Sequence, residues 1–487
     1  MGWTRIGPRP RLARVSSRQP HHAPPPLPPE LRWLLYFQGL NSVNFTIALG
    51  APLVLTARYL GAGESAIGIL NSIQPLLVML QLFATNLVYR FGCKRMLLWG
   101  WGLRSYMLLL IAPLPLMASH GFSTMFLTVA LILPVAGFNA IRGFASGAWF
   151  PWIAEVVPEE QRGQYLGKEQ SVMNICAFLT LLGCGAFLGS DPPAWRFGAL
   201  FVFAWAAGMG SVLCLRRAPE PARLSSSAAR PPNWSLADIW RKALELWALP
   251  GFRRTTRYVL MMTFAFAALP VYLVLFVREE LGWPDGAVLK FQSLTMLGVL
   301  LTAVYWGSLS DRVGSRPLIR LSGGALLAAC AFWAAAGLHL FKPGLWLVGG
   351  AYFLFGVFNA AHAIAQMRLV LATIPREDQV IGNTVFQVLV ALSGGAAPLI
   401  FGVTLDWLRH GGDAGGQSSG LAPFAVVFGA MLGLGAAAQA LLGSVPEAKA
   451  LPAHAVLLQL VYDWPVKVLS AVAGPAKDRR DNSPKGK

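Results

Sequence analysis

Charge is scarce in this chain. Only 13% of its 487 residues are Asp, Glu, Lys or Arg, and the mean hydropathy is +0.53. A soluble domain carries about 25% charged residues, so a water-exposed enzyme of two or three domains is disfavoured from the outset. Cysteine is sparse as well: five residues, at 93, 176, 184, 214 and 330, with no Cys-x-x-Cys pair. That excludes a disulfide framework and a zinc signature, and the thiols read as small packing residues. Acids are short against bases by 22 to 40, a net charge of +18. Such an excess suggests nucleic acid when it gathers along one aromatic-lined groove. Here it is spread over many segments, and nucleic acid is not expected as a partner. What the chain has in quantity is apolar sequence, 55% of it, enough for about a dozen crossings at roughly 20 residues each.

Those apolar runs centre on 34–58, 66–89, 96–117, 123–148, 170–190 and 196–215, then on 257–277, 287–308, 318–340, 345–370, 381–405 and 421–444. The expected class is an all-α polytopic membrane protein with twelve transmembrane helices in two sets of six. Five segments follow: a basic, Pro-rich N-terminal tail (1–33), a first six-helix set (34–215), a central loop (216–256), a second set (257–444) and a C-terminal tail (445–487). The N-terminal tail has five Arg and no acid before Glu30. It reads as a retained, disordered cytoplasmic segment, with an organelle transit peptide as the alternative. In the central loop, Ser235 can cap a helix with Asp238 three residues on. Leu236, Ile239, Trp240, Ala243, Leu244 and Trp247 then share one face. This amphipathic helix either lies on the membrane surface or packs on the ends of the bundle. A second interfacial helix is expected within 451–469.

Of the 40 basic residues, 32 fall on the side of the two termini and six on the other: Arg58, Arg196, Arg278, Lys290, Lys342 and Arg409. Two, Arg104 and Arg142, lie inside spans. Basic residues accumulate in cytoplasmic loops, so both termini are expected in the cytoplasm, and the membrane is expected to be a bacterial inner membrane.

The two sets repeat one another. Arg90-Phe91-Gly92-Cys93-Lys94-Arg95 after the second span matches Arg312-Val313-Gly314-Ser315-Arg316 after the eighth. Phe138-Asn139-Ala140-Ile141-Arg142 in the fourth span matches Phe358-Asn359-Ala360-Ala361-His362 in the tenth, and Val157-Pro158-Glu159 matches Ile374-Pro375-Arg376. Gly307-Ser308-Leu309-Ser310-Asp311-Arg312-Val313-Gly314-Ser315-Arg316 resembles the loop signature Gly-x-x-x-Asp-Arg-x-Gly-x-Arg of the major facilitator superfamily, and the resemblance runs over residues 31–445. Pro158-x-Glu160-x-Arg162-Gly163 is similar to that superfamily's loop after the fourth span. The resemblance implies two pseudo-symmetric bundles that rock around a midplane site, with spans one, four, seven and ten lining the cavity. It also implies a cytoplasmic gate loop formed by Gly307, Asp311, Arg312, Gly314 and Arg316, with Arg90 and Gly92 in the first-half copy. That copy departs from the pattern, with Thr85 for Gly and Tyr89 for Asp, so the stronger charge latch is expected in the second half.

Polar residues inside spans face other helices or a wet cavity. The cavity candidates are Asn41, Asn44, Asn139, Arg142, Asn359, His362 and Gln366. Each has an alternative as a bridge between helices. Arg142 is the hardest to explain by packing, whereas Arg104 is read as a residue that snorkels. No carboxylate is expected near a span centre: Glu155, Glu169, Asp191, Glu279, Asp311 and Asp406 are placed at edges. A cation substrate is therefore disfavoured. The expected function is a secondary active or facilitative transporter of a small neutral polar or anionic solute, with Arg142 as its charge partner. A coupling proton or ion is a further possible partner, and His362 is the titratable candidate. A receptor or scaffold on the same fold is the alternative. The chain has no Gly-rich phosphate loop, metal cluster or nucleophile motif, so neither an enzyme, a cofactor nor direct ATP drive is expected. The protein is expected to be monomeric.

Overall fold

Hydrocarbon offers no partner to a backbone N–H or C=O, so an apolar chain must satisfy both within helices or a closed barrel. The computed structural model describes residues 29–83, 91–157, 161–219, 236–375, 378–410 and 422–445. Every regular element among them is helical. In chain order the spans are Arg32–Leu49 with Ala51–Tyr59, Glu64–Leu77 with the 3-10 segment Val78–Phe83, Cys93–Ile111, Thr124–Ser146, Arg162–Leu188 and Ala194–Arg217. The second set is Pro250–Ala267 with Leu269–Glu279, Asp285–Val313, Ser315–Gly337, Leu345–Thr373, Gln379–His410 and Pro423–Leu441. Eleven are long and apolar enough to cross a bilayer within their described residues. Residues 84–90, assigned from the sequence to the end of the second span and its loop, lie outside the described residues, as do the tails 1–28 and 446–487 with the helix expected within 451–469, and Ser235.

The repeat reaches below the motifs. The first span breaks at Gly50 and the seventh at Ala268, and each resumes with a proline at its second position, Pro52 and Pro270. Proline is tolerated there because the first turn's N–H groups have no helical acceptor. Gly92 and Gly314 take φ of 81° and 88° between the paired spans, a region that only glycine enters without strain. Two residues on, Lys94 Nζ donates to the Ala218 carbonyl at 2.8 Å and Arg316 Nη2 to the Gly443 carbonyl at 2.5 Å. Each cation thus sits at the carbonyl end of its own half's last helix, where the helix dipole favours positive charge.

The halves meet along the second and eleventh spans and along the fifth and eighth. Gly68 lies so close to the Pro398 carbonyl that a Cβ has no room, and Gly286 lies equally close to Gly185 and donates its N–H to the Gly189 carbonyl at 2.9 Å. At the end of the bundle away from the termini, four charges close a ring between the halves. Arg58 pairs with Glu64 at 3.2 Å and Glu279 at 2.5 Å, and Arg409 pairs with Glu279 at 2.7 Å and also with Glu64. Ser65 Oγ donates to Asp406 across the same interface at 2.6 Å. Arg58–Glu279 and Arg409–Glu64 thus join the halves at this far end. The charge latch expected in the gate loop rests on Asp311 and Arg312, whose side chains lie outside the described residues.

The helix expected in the central loop is present at Leu236–Ala248. Leu246 is buried beside Gly382, and Lys242 reaches Asp378 at 2.9 Å and Glu245 at 3.0 Å. The Asp378 hydrogen bond, then that of Glu245, holds the Lys242 ammonium above its ordinary value. The ammonium therefore stays charged through neutral pH, and on the basic side the pairing is lost as pH rises past that raised value. Trp240 and Leu244 remain exposed. One face thus docks on the bundle and the other stays exposed.

Charge-assisted hydrogen bonds are worth about 1.5–3 kcal/mol each. Arg409→Ala should therefore open the far end, raising maleimide labelling of a cysteine introduced at buried Ala62 by about tenfold or more. Unchanged labelling would show that the glycine contacts alone hold the seal.

Candidate functional site

The site lies on the terminal side of this seal, in the polar residues of the first, third, fourth and fifth spans. Asn41 is its hinge. Its Oδ1 accepts Trp101 Nε1–H at 3.0 Å and also the Arg104 guanidinium, and its Nδ2 donates to Gln38 Oε1 at 3.3 Å. Gln38 Nε2 in turn donates to Glu169 Oε1. A hydrogen-bonded chain therefore runs from a guanidinium on the third span, through two amides on the first, to a carboxylate on the fifth. The second carboxylate oxygen of Glu169 is buried with no hydrogen-bond partner among the described residues.

Two expectations change here. Arg104 does not snorkel; it is 1% exposed, clasped between the faces of Trp101 at 4.6 Å and Phe138 at 5.0 Å. An Arg near the centre of a spanning helix costs about 2.5–3.5 kcal/mol. Two desolvated cation–π contacts supply up to about 2 kcal/mol each, and the Asn41 bond adds to them. Arg104 is thus compensated without a directly paired acid. Glu169, read from the sequence as an edge residue, is 7% exposed and turned inward onto Gln38.

Arg142 is different. It is only half-buried and makes no hydrogen bond or ion pair among the described residues; its guanidinium lies over the Phe45 ring at 4.7 Å. One cation–π contact falls short of a guanidinium's desolvation cost. Phe138 stands one turn before it on the same span and lies under Arg104, so the two guanidiniums face a common region.

The remaining candidates are distributed more widely. Asn44 turns to the sixth span and donates to the Ala204 carbonyl at 2.8 Å. Asn139 is buried and donates back to the Val135 carbonyl of its own helix at 2.9 Å. His362 is buried, with Nε2 3.4 Å from the Tyr258 hydroxyl and Nδ1 3.3 Å from Ser322 Oγ. It ties the seventh, ninth and tenth spans together. Asn359 is exposed and Gln366 half-buried, one turn either side of it. Near the end of the eighth span Gly307 faces open space, and after it Gly314 makes the turn. Arg316 is engaged with the end of the twelfth span, while the side chains of Asp311 and Arg312, like all of Arg90, lie outside the described residues. Sequence reasoning missed the Gln38–Glu169 link. Its one signal was the spacing of Gln38 and Asn41, three apart on one face.

Arg104→Ala should cost about 3 kcal/mol, the range for opening a cavity and stranding buried partners. The expected readout is loss of the monodisperse peak in detergent; an unchanged melting temperature would remove Arg104 from the core of the half.

A search of curated protein sequences finds no match. Solved structures similar to this chain include a point mutant of the nucleoside transporter NupG, at TM-score 0.65 and 11% identity, covering 86% of this chain and 99% of that one. A D-xylose–proton symporter aligns at TM-score 0.63 and 15% identity, covering 85% and 98%. The inward-open xylose transporter XylE from E. coli aligns at 0.62 and 13%, covering 88% and 98%. At these identities the likeness is one of fold. The family model described as Major Facilitator Superfamily matches residues 34–398. With two six-helix halves sealed across their second, fifth, eighth and eleventh spans, and a family match over most of its length, the chain belongs to the major facilitator superfamily of multi-pass membrane transporters.

Proposed function

We propose that this transporter moves a small anionic or neutral polar solute by alternating access, with Arg142 as the group that meets it. The observation that carries this reading is the state of Arg142: a half-buried guanidinium four residues before the end of Thr124–Ser146, with no acid or hydrogen-bond acceptor among the described residues. A solute carboxylate, phosphate or hydroxyl array supplies the missing partner. An organic cation is disfavoured, since it would meet two guanidiniums. Neutral polar solutes stay in view because the structural relatives include transporters named for a nucleoside and for xylose.

The excess of Lys and Arg on the terminal side supports cytoplasmic termini. With that orientation the far-end seal closes the outer face, and the site belongs to an inward-facing state. A coupling proton, for which His362 is the titratable candidate in the sequence, is better placed on Glu169. His362 has a hydroxyl against each ring nitrogen. Glu169 has one oxygen free of partners among the described residues, faces Gln38 and Tyr165, and connects through Asn41 to Arg104. Protonating Glu169 would remove the negative end of that chain and leave the cavity more positive for an anion.

Uptake into proteoliposomes tests both assignments. Truncating one member of a buried charged contact costs about 2–5 kcal/mol, so Arg142→Ala should lower uptake by at least about thirtyfold while the protein stays in the membrane. Wild-type uptake by that variant would remove Arg142 from the site. Glu169→Gln keeps the Gln38 contact and cannot ionise. It should retain solute exchange yet lose accumulation driven by a pH gradient, and accumulation equal to wild type would return the proton to another group. No uptake of any member of a broad panel of anions, sugars and nucleosides would favour a receptor on the same fold.

A further inference from the structure

The outer face of the first half carries a trough between the third and fourth spans, with a volume of about 490 Å³. Arg95, Met96, Trp99 and Leu103 form one wall and Ile141 and Phe144 the other. Its floor is built by a close approach: a Cβ on Gly100 would collide with that of Ala145. The helices touch backbone to side chain there while bulky residues stand on both rims. Trp99 is 70% exposed and Leu103 51%, an exposure that suits lipid and not water.

The mouth of the trough is charged. Arg95 lies two residues inside the start of the third span, at headgroup depth, and is exposed. It makes no hydrogen bond, ion pair or ring contact among the described residues. The internal repeat does not account for it either. Its neighbour Lys94 corresponds to Arg316, and both are engaged with the end of a helix. At the position that matches Arg95 the second half has Pro317. From Arg95 to Leu103 the trough descends eight residues, about 12 Å at 1.5 Å per residue. That is close to the depth of one leaflet, half of about 30 Å.

We propose that this trough is a selective site for an anionic glycerophospholipid of the leaflet on the terminal side. Its phosphate meets Arg95, and one acyl chain lies along Trp99, Leu103 and Phe144 over the Gly100 floor. A soluble anion has no use for the apolar walls. A zwitterionic lipid brings its own cation beside the phosphate and gains less from Arg95. The site is independent of the transport reading, since Arg142 leaves the fourth span on a different face from Ile141 and Phe144.

Native mass spectrometry of the full-length protein with equimolar dioleoyl-phosphatidylglycerol and dioleoyl-phosphatidylcholine tests this. The wild type should retain phosphatidylglycerol preferentially. Arg95→Ala should lower the retained ratio about fivefold, the effect of the ~1 kcal/mol one basic residue contributes at an anionic surface. Arg95→Lys should preserve most of the preference and guards against a folding defect. Arg320→Ala, at an exposed arginine of the ninth span that does not line this trough, should leave the ratio unchanged. Equal retention of the two lipids by the wild type, or the same ratio in Arg95→Ala, overturns the proposal. So does displacement of the bound lipid by glycerol phosphate without acyl chains, which would make the mouth a free-anion site.

Discussion

No water is present in the membrane interior to solvate a polar atom, and the placement of polar residues in this protein follows from that. Each buried amide, hydroxyl or charge has to find its partner within the protein. Asn44 finds the Ala204 carbonyl, and Tyr272 the Pro398 carbonyl at 2.5 Å. Ser322 finds His362 and the carbonyl one turn behind it. Arg104 solves the problem without a direct counter-ion, by an amide oxygen and two aromatic faces. Against this background a guanidinium that has found only one ring stands out from Arg104, which has an amide oxygen and two rings.

The same constraint explains how the halves divide their work. The first half holds two guanidiniums and a carboxylate within its spans, while the second half has, at the position that matches Arg142, a histidine held by neutral hydroxyls. The fold is pseudo-symmetric to the level of matching glycine turns and matching helix breaks, but the charge is not. Charge symmetry is instead kept at the far end, where each half contributes one arginine and one glutamate to a shared ring.

Much of this was legible in the sequence because hydropathy, repeats and charge asymmetry are long-range averages. The twelve spans, the paired halves and the amphipathic helix at Leu236–Ala248 needed no contact information. The partners of individual polar residues did. Arg104 looked like a residue near a helix end because sequence gives depth but not azimuth, and its aromatic clasp comes from two different spans. Glu169 sits only seven residues into its helix, and nothing in its own segment says that Gln38 lies opposite. The far-end latch left a trace that was countable but unread. Four of the six basic residues that broke the positive-inside pattern are engaged there or nearby: Arg58 and Arg409 in the ring, Arg278 with Asp285 at 2.6 Å, and Arg196 with the Leu188 carbonyl. Exceptions to a charge rule mark places where charge is neutralised by structure.

Lys94 and Arg316 carry one consequence beyond their own loops. Each ties the turn between the second and third helices of its half to the end of that half's sixth helix. A six-helix unit is thereby fastened between an early turn and its last helix without help from the other unit. Neither of these two ties is made by a residue between Ala218 and the helix at Leu236. A chain cut there keeps both, and the two pieces still have the same glycines and the same ring of charges to face each other across.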